Sequence, residues 1–319
     1  MKAAIRRSYG SPEVISVETI EQPVPDDDEL LIRVFATTVN RTDCANLTGK
    51  PFIMHLMLGL IKPRKIIIGT DFAGQVVEVG KNINGFHSNQ RVFGFTDMGL
   101  ESQAEFIVLK PKGNILAIPE NISFRQAAAS LEGAHYAYTF TRKAAIQSGQ
   151  KILIIGATGA IGSALLQFLK TFDVYVTATS NTQNIPLILS LGADRIYDYT
   201  REDFTQDDEK YDFIVDAVGK STFSKCKHLL KKNGIYSSSE LGPYCQNIFL
   251  AMLTPFLGSK KVIFPIPYSL TETLPYIKSM LEKGLFNPVI DREYALDEIA
   301  EAYDYVLSGE KTGNVLINL

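Results

Sequence analysis

A glycine-rich run near the middle of the chain contains the residues whose types and spacing could most directly do chemistry. Residues 152–155 are apolar and predict a short buried strand, and residues 163–170 continue as a helix. Gly156, Gly159 and Gly162 lie between them. This order is typical of a dinucleotide site, in which the backbone approaches a pyrophosphate and free N–H groups at the helix N-terminus bind its charge. A tight turn in an ordinary α/β domain is the alternative, but the flanking strand and helix favour the nucleotide site.

The next predicted strand, residues 174–178, ends in residues that bear on the choice of cofactor. Sites for NAD usually carry Asp or Glu here, on the ribose 2′-hydroxyl, whereas this chain has Thr-Ser-Asn-Thr at residues 179–182. No carboxylate of this segment repels a 2′-phosphate, which favours NADP(H). No Lys or Arg lies between Val174 and Asp194 to pair with that phosphate. Ser180 and Asn181 can also cap the following helix, and both roles are compatible.

Composition narrows the class of protein. The chain has 319 residues, is 45% hydrophobic and carries a net charge of −3, so we expect two domains and no nucleic-acid partner. Its three cysteines are scattered, which favours a reducing compartment. The first residues contain no apolar core of a signal peptide, and we therefore expect a cytoplasmic protein.

Residues 52–61 form a strongly apolar segment that is too short to span a bilayer. We interpret it as a buried helix or a lid over a cleft, since short apolar runs more often belong to a core. A hydrophobic wall for substrate or a contact with a membrane surface is the alternative. We accordingly expect no membrane contact.

The order of the predicted elements indicates two kinds of domain. Short apolar runs separated by Pro, Gly, Asn and Asp fill the first part and predict a barrel-like antiparallel domain. A helical pattern starts at Ser123, and strands then alternate with helices as in a doubly wound parallel sheet. The last strand-like segments, 288–290 and 314–319, fit a return to the first domain. We predict one domain from residues 1–121 and 285–319, a nucleotide-binding domain from residues 122–284, and an active site in the cleft between them.

Seven short segments, in this order and spacing, carry a family resemblance that covers nearly the whole chain. They are residues 39–43, 69–80, 91–94, 147–150, 191–194, 211–219 and 313–316. The chain resembles the medium-chain dehydrogenase/reductase superfamily, and more closely its zinc-free, quinone oxidoreductase-like (zeta-crystallin-related) branch. The resemblance implies a GroES-like β-rich barrel domain, a Rossmann domain with a doubly wound parallel sheet, and a homodimer.

The positions of the zinc ligands in zinc-dependent relatives are occupied by other residues here. Thr70 replaces the histidine, Arg41 lies near the position of the early cysteine, and Cys44 is displaced from it. The four-cysteine structural lobe is missing. Cys44 and Asp71 are a conceivable pair of ligands, but a catalytic zinc needs three protein ligands, so we expect no zinc.

The resemblance implies roles for individual residues. Asn40 matches an asparagine near the nicotinamide and the substrate, and Asp43 follows in the same motif; helix capping is the alternative for both. The lysine that usually joins Ser180 and Tyr199 at the 2′-phosphate is Asn184 here, and a lysine often found near the C-terminus is Asn314. The residues expected to bind NADP(H) are Gly156, Ala157, Thr158, Gly159, Ala160, Ile161, Ser180, Asn181, Tyr199, Val218, Gly219, Ser239, Phe264 and Asn314.

Tyr136 completes the predicted catalytic set with Asn40 and Asp43. Relatives commonly have threonine near this position, and Glu132, His135 and Tyr136 are ionisable, so one of them could supply a proton near the hydride. Packing of Tyr136 on the nicotinamide is the alternative, and we interpret His135 as a domain contact.

These observations predict a zinc-independent, NADPH-dependent oxidoreductase that transfers hydride to a small-molecule quinone or α,β-unsaturated carbonyl. A conjugated acceptor spreads the developing charge onto an oxygen, so hydrogen-bond donors such as the Asn40 amide or the Tyr136 hydroxyl would suffice without a metal. Two alternatives stay open. One is a zinc-free alcohol or aldehyde reductase with Tyr136 or His135 as the acid, and the other is an NADPH-binding regulatory protein with little turnover.

Overall fold

The computed structural model describes all 319 residues, from Met1 to Leu319. The strands are β1 (Lys2–Arg6), β2 (Ile15–Thr19), β3 (Leu30–Val39), β4 (Asp71–Val79), β5 (Arg91–Phe95), β6 (Phe106–Leu109), β7 (Ile115–Ala117), β8 (Lys151–Ile155), β9 (Tyr175–Ser180), β10 (Arg195–Asp198), β11 (Tyr211–Asp216), β12 (Leu230–Ser238), β13 (Lys261–Ile263), β14 (Ile290–Ala295) and β15 (Asn314–Asn318). The helices are α1 (Arg41–Thr48), α2 (Ile53–Leu58), α3 (Phe124–Ala129), α4 (Glu132–Ala144), α5 (Ala160–Leu169), α6 (Ile185–Ser190), α7 (Phe223–Cys226), α8 (Gln246–Leu253), α9 (Leu270–Glu282) and α10 (Ile299–Ser308).

The chain divides into two compact units. The first contains Met1–Glu132, Ser269–Lys283 and Asn287–Leu319, and the second contains Gly133–Tyr268 and Gly284–Phe286. The sequence places residues 122–132 and the whole of α9 in the nucleotide-binding domain, whereas the structure groups them with the first unit. Packing explains the difference for α3, because Phe124 stacks on Phe35 of β3 with ring centroids 4.7 Å apart.

The first unit is built on a seven-stranded sheet with the order β14-β15-β3-β4-β5-β7, and β6 also pairs with β3. All pairs in it are antiparallel except β14 with β15. Leu30, Ile32 and Val34 alternate along β3 and enter a core with Phe72 and Val92. Leu31 and residues 36–39 are buried as well, so much of β3 is covered on both faces. The predicted antiparallel β-rich domain is confirmed.

The second unit is a six-stranded parallel sheet with the order β10-β9-β8-β11-β12-β13. The strand order reverses between β8 and β11, and in sheets of this kind ligands bind beyond the carboxyl ends of the strands at that point. The fully buried residues Ile152 and Ile154 of β8 explain the uninterrupted apolar run of the sequence. The predicted doubly wound parallel sheet is confirmed.

The apolar segment at residues 52–61 is exposed, so its interpretation as a buried helix is wrong. None of the residues of α2 is buried, and Phe52 and Ile61 are 69% and 93% exposed. The helix contacts α1, but no further layer covers its other side chains. In the chain as a whole, every helix is too short or too polar to cross a membrane.

Candidate functional site

The glycine turn after β8 is shaped partly by the chain's own packing. Gly156 has φ +80°, in the left-handed region, and a Cβ there would lie 2.5 Å from Val218 Cγ1. A Cβ on Gly162 would lie 2.2 Å from the carbonyl oxygen of Gly156. Both positions therefore need glycine for the turn to close against α5 and the loop after β11.

Gly159 has no such steric reason to be glycine. It is the N-cap of α5 in an ordinary extended conformation, and the atoms nearest to an added Cβ would be 3.8 Å and 4.0 Å away. The space in front of this helix N-terminus is thus not filled by the protein. The first N–H groups of α5 have no acceptor within the helix, so residues 156–161 fit the pyrophosphate of a dinucleotide.

Parallel pairing of β9 and β10 brings together the residues expected at the 2′-phosphate. Ser180 pairs with Asp198, and the backbone N–H of Tyr199 donates to the Ser180 carbonyl over 3.0 Å. Tyr199 is 55% exposed. The Asn181 side chain accepts from the N–H of Asn184 over 3.0 Å. The capping role of Asn181 is therefore confirmed, and its amide nitrogen remains a donor.

The strand pairing also adds two charges that sequence reasoning missed. The Asp198 carboxylate accepts hydrogen bonds from the hydroxyls of Thr182 and Thr200, which lower its pKa. Arg201 Nε lies 3.6 Å from Asp198 Oδ2, and its side chain is 73% exposed. Sequence reasoning includes Tyr199, which follows β10, but omits Asp198 at the end of that strand and Arg201 two residues after Tyr199. The register of the two strands is the signal that reveals them.

Asp216 at the end of β11 organises the loop that carries Val218 and Gly219. Its buried carboxylate accepts from the N–H groups of Ser221 over 2.7 Å and of Val218 over 3.2 Å. Its backbone oxygen accepts from the N–H of Ser239 over 3.0 Å. Sequence reasoning did not identify Asp216, although an aspartate that ends a buried strand and precedes a glycine turn is a visible signal.

Phe264 and Asn314 lie in different units. Phe264 follows β13 in the second unit and is partly buried. Asn314 starts β15 in the first unit, is 4% exposed, and donates from its side-chain amide to the carbonyl of Val289 over 3.0 Å. That hydrogen bond ties Asn314 to its own unit, and a contact with the cofactor stays a prediction.

Asn40 lies where β3 meets α1 and is 3% exposed. Its backbone N–H donates to Asp43 Oδ2 over 2.9 Å, half of a capping box that starts α1. Its side-chain Nδ2 donates to Asp71 Oδ2 over 2.9 Å and to Thr38 Oγ1 over 2.6 Å. Both amide hydrogens are therefore used within the protein. Donation from the Asn40 amide to a substrate oxygen would require one of these two hydrogen bonds to break, and it stays a prediction.

Asp71 holds this arrangement from the start of β4. Its fully buried carboxylate accepts from the Thr38 N–H over 2.8 Å, from the Thr37 hydroxyl over 3.1 Å and from the Thr38 hydroxyl. Burial raises the pKa of Asp71 to about 6, against the opposing effect of these donors. The carboxyl is ionised at neutral pH, and an ionised carboxylate can face only a donor, which fixes the orientation of the Asn40 amide.

Two further carboxyl groups are buried in the first unit. Burial, together with the charge of Asp71, raises the pKa of Asp43 well above its usual value. Burial also raises the pKa of Glu132, which accepts a hydrogen bond from the hydroxyl of Thr42. A low-dielectric environment disfavours several neighbouring negative charges, so this cluster retains protons at pH values where exposed carboxyl groups have lost them.

Tyr136 and His135 lie on α4 in the second unit, with their rings edge to face at a centroid distance of 5.7 Å. His135 is 2% exposed, and burial lowers its pKa to about 4. The imidazole is neutral at pH 7, which makes it a poor source of the proton that a general acid must deliver.

The residues near Asn40 do not fit a zinc ion. No group of three or more His, Cys, Asp and Glu side chains is placed to hold a metal. Burial raises the pKa of the Cys44 thiol, which disfavours the thiolate that zinc requires. The Asp71 oxygens are already engaged by protein donors.

Comparisons with known families agree with this architecture. Residues 26–120 match the alcohol dehydrogenase GroES-like domain, and residues 191–317 match the zinc-binding dehydrogenase family. Among solved structures, the quinone oxidoreductase of Coxiella burnetii superimposes with a TM-score of 0.87 at 23% identity, covering 100% of this chain and 99% of that chain. An Escherichia coli quinone oxidoreductase in complex with NADPH gives a TM-score of 0.83 at 22% identity, with full coverage of both chains. Identities this low establish the fold.

Curated relatives are similar along the whole chain. The 2-methylene-furan-3-one reductase of Solanum lycopersicum is 32% identical over 100% of this chain and 79% of that protein. The chloroplastic NADPH-dependent alkenal/one oxidoreductase of Arabidopsis thaliana is 29% identical over 99% of this chain and 79% of that protein. Together with the fold and the glycine turn, these similarities show that the chain belongs to the zinc-free, quinone oxidoreductase-like branch of the medium-chain dehydrogenase/reductase superfamily.

Proposed function

We propose that this protein is an NADPH-dependent oxidoreductase that transfers hydride to a quinone or to the β-carbon of an α,β-unsaturated carbonyl without a metal. The observation that carries the proposal is the unfilled space at Gly159, in front of the N-terminus of α5, in a chain whose acidic cluster does not fit zinc. The names of two similar proteins, 2-methylene-furan-3-one reductase and alkenal/one oxidoreductase, support an enone as the acceptor.

The residues of the second unit bind and orient the cofactor. Residues 156–161 hold the pyrophosphate, while Ser180, Asn181 and Tyr199 hold the 2′-phosphate with the help of the Arg201 charge. Val218, Gly219, Ser239 and Phe264 lie in loops at the carboxyl ends of the strands, where this fold binds its ligand. When bound, NADPH supplies the hydride.

The remaining chemistry is to position the acceptor and stabilise charge on its oxygen. The Asn40 carbonyl oxygen accepts a hydrogen bond from a donor on the cofactor or the substrate, since its amide nitrogen is held by Asp71 and Thr38. The Tyr136 hydroxyl then takes the role of donor to the substrate oxygen, and water supplies the proton that completes the reduction. This division replaces the predicted role of the Asn40 amide, and Asp43 acts through the backbone of Asn40.

We also propose that the protein is a homodimer in a reducing, cytoplasmic environment. Strand β13 is the free edge of the parallel sheet, and the adjacent α8 region exposes Phe249, Met252 and Phe256. An unpaired edge beside exposed apolar side chains is the usual setting for strand pairing between subunits. Cys44 and Cys226 are free and buried, as in proteins of reducing compartments.

The experiment is NADPH oxidation by the purified protein, compared with NADH, using 1,4-benzoquinone, 9,10-phenanthrenequinone, 2-hexenal and hexanal, each with and without chelator. Turnover that prefers NADPH and is insensitive to chelator is expected. Reduction of hexanal at a rate equal to that of 2-hexenal would instead support the aldehyde reductase. Tight NADPH binding without turnover of any acceptor would overturn the proposal in favour of an NADPH-binding regulatory protein, whose partner would meet the exposed apolar side chains of α2 or α8.

A further inference from the structure

The first unit contains a cavity that the proposed reaction does not use. Its volume is about 230 Å³, and it lies where Asn46, near the end of α1, meets Arg6 of β1 and the chain around Ile68. Asn40 stands at the opposite end of α1, about 9 Å away along the helix axis at 1.5 Å per residue. The cavity therefore lies near the opposite end of this helix from Asn40.

A buried cation with a free donor lines this cavity. Arg6 is 3% exposed, and its Nη1 donates to the carbonyl oxygen of Asn46. Its Nε has no hydrogen-bond partner, and no carboxylate lies within ion-pair distance of its guanidinium. The Tyr9 ring, 5.3 Å from the guanidinium carbon, and the more distant Asp43 interact with this cation. Its buried Nε–H still has no acceptor, which is costly unless a ligand supplies one.

Two more cationic side chains, Arg64 and Lys65, line the cavity. Arg64 is exposed and forms no ion pair, whereas Lys65 donates to the carbonyl oxygen of Gly99 over 2.9 Å and lies 3.5 Å from the carboxylate of Glu101. The lining itself includes three basic side chains and no acidic one. This excess of positive charge favours an anion, and Arg6 and Arg64 are the cations left to bind it.

The rest of the lining is apolar, from Met57, Leu58, Ile67, Ile68 and Met98. The volume corresponds to about eight groups of the size of a water molecule, at about 30 Å³ each. We propose that this cavity binds an unbranched carboxylate of about six carbons in all, its head between Arg6 and Arg64 and its apolar tail against Met57 and Ile68. The carboxylate of such a monoanion would accept a hydrogen bond from Arg6 Nε, and its tail would cover Met57 and Met98. The proposal does not depend on the proposed reductase activity.

The test is calorimetric titration of the full-length protein with hexanoate, 1-hexanol and inorganic phosphate. Saturable binding of hexanoate at one site is expected, at least about tenfold tighter than that of 1-hexanol, since a charge-assisted hydrogen bond is worth about 1.4 kcal/mol or more, a factor of ten. Equal binding of hexanoate and 1-hexanol would overturn the role of the cations. Equal binding of hexanoate and phosphate would overturn the role of the apolar wall.

Variants locate the site without relying on turnover. Arg64→Gln is expected to weaken hexanoate binding by about fivefold or more, whereas Lys62→Gln removes the same charge two residues away, outside the cavity lining, and should leave it unchanged. Met57→Asp should weaken binding further, because it places a carboxylate beside the tail. Equal affinities in wild type, Arg64→Gln and Lys62→Gln would reject the cavity as the binding site.

Discussion

At the scale of single residues, the orientation of one amide decides the chemistry available to the Asn40 region. A buried asparagine near a reaction centre can act through a donor or an acceptor, and sequence alone does not distinguish them. Here Asp71 and Thr38 engage both amide hydrogens of Asn40. An ionised carboxylate has no proton to give, so Asn40 Nδ2 is the donor in this contact, and in the proposed function Oδ1 is the atom that would face a ligand.

Replacing Asp71 tests this positioning role. Asp71→Asn keeps the shape but removes the ionised acceptor, and we expect kcat/KM for an enone to fall about tenfold to a hundredfold, as for one charge-assisted hydrogen bond of about 1.5–3 kcal/mol. Steady-state kinetics and NADPH binding are the measurements. Asn40→Ala and the double variant complete the cycle, and strictly additive effects would show that Asp71 does not act through Asn40.

The raised pKa of Asp71 links its ionisation to both activity and stability. Its value rises from 3.8 to about 6 in the folded state, so the folded protein binds more protons than the unfolded chain between about pH 4 and pH 6. The contribution of this group to the free energy of unfolding therefore falls as pH rises through that window, by about 3 kcal/mol at about 1.4 kcal/mol per pKa unit. Activity should change in the opposite direction, because only the ionised carboxylate holds Asn40.

The measurement is urea unfolding of wild type and Asp71→Asn across pH 4 to 7, together with kcat/KM over the same range. The difference in unfolding free energy between the two proteins reports Asp71 together with its coupling to Asp43 and Glu132, whose raised pKa values depend in part on the charge of Asp71. A difference that does not change with pH would contradict the assignment.

Arg201 gives a prediction about cofactor choice. Its guanidinium stands beside Asp198 at the end of β10, next to the pair Ser180–Tyr199. If it serves the 2′-phosphate, Arg201→Gln should raise KM for NADPH about threefold to tenfold and leave KM for NADH unchanged, as expected for one exposed charge contact. Lys232→Gln, an exposed charge in the same unit, is the control. An equal loss with both cofactors would assign Arg201 a structural role.

At the scale of elements, the glycine turn contains one glycine that packing requires and another that packing does not require. Gly162 is required by the contact of α5 with the turn, since a Cβ there would meet the Gly156 carbonyl oxygen at 2.2 Å, whereas Gly159 has room for a methyl group. The glycine spacing in the sequence does not distinguish Gly162 from Gly159. The packing around each one distinguishes a steric need of the chain from space that a ligand occupies.

Alanine substitutions test this distinction. Gly162→Ala should lower the free energy of unfolding by about 1–3 kcal/mol through overpacking. Gly159→Ala should change stability by less than about 1 kcal/mol while weakening NADPH binding about tenfold or more, because the methyl group takes the space of the pyrophosphate. Urea unfolding and NADPH fluorescence are the measurements. Unchanged NADPH affinity in Gly159→Ala would place the pyrophosphate elsewhere.

At the scale of the whole molecule, the exposed apolar surface of α8 and the free edge of β13 bear on assembly. Phe249 and Phe256 are 56% and 86% exposed. The double variant Phe249→Asp/Phe256→Asp should shift the species measured by light scattering from two chains to one, since a charge at the centre of an apolar interface is costly. Phe52→Asp, on the other exposed apolar segment, is the control. A dimer that survives the double variant would require another interface.

The strands, helices and caps were largely predictable because they depend on local patterns. Uninterrupted apolar runs identified the central strands of the parallel sheet, and Ser123 with Gln126 identified a capping box that the structure shows, with Gln126 N–H donating to Ser123 Oγ over 3.2 Å. Hydrophobicity mispredicts the apolar segment at residues 52–61, because it indicates only a tendency to be buried. Burial itself needs a neighbouring layer, which α2 lacks on one side.

The sequence by itself determined the element types, the dinucleotide turn and the family, since strand runs, glycine spacing and motif order are all properties of neighbouring residues. Only the tertiary structure decided which hydrogen bonds the Asn40 amide makes within the protein, because Asp71 is 31 residues away. It likewise decided that Asp198, with its ion-pair partner Arg201, lies beside Ser180, through the register of β9 with β10, and that Arg6 and Arg64 line one cavity. Hydrogen-bond direction and charge pairing depend on distances of a few ångströms between remote residues, and strand register and helix packing set those distances.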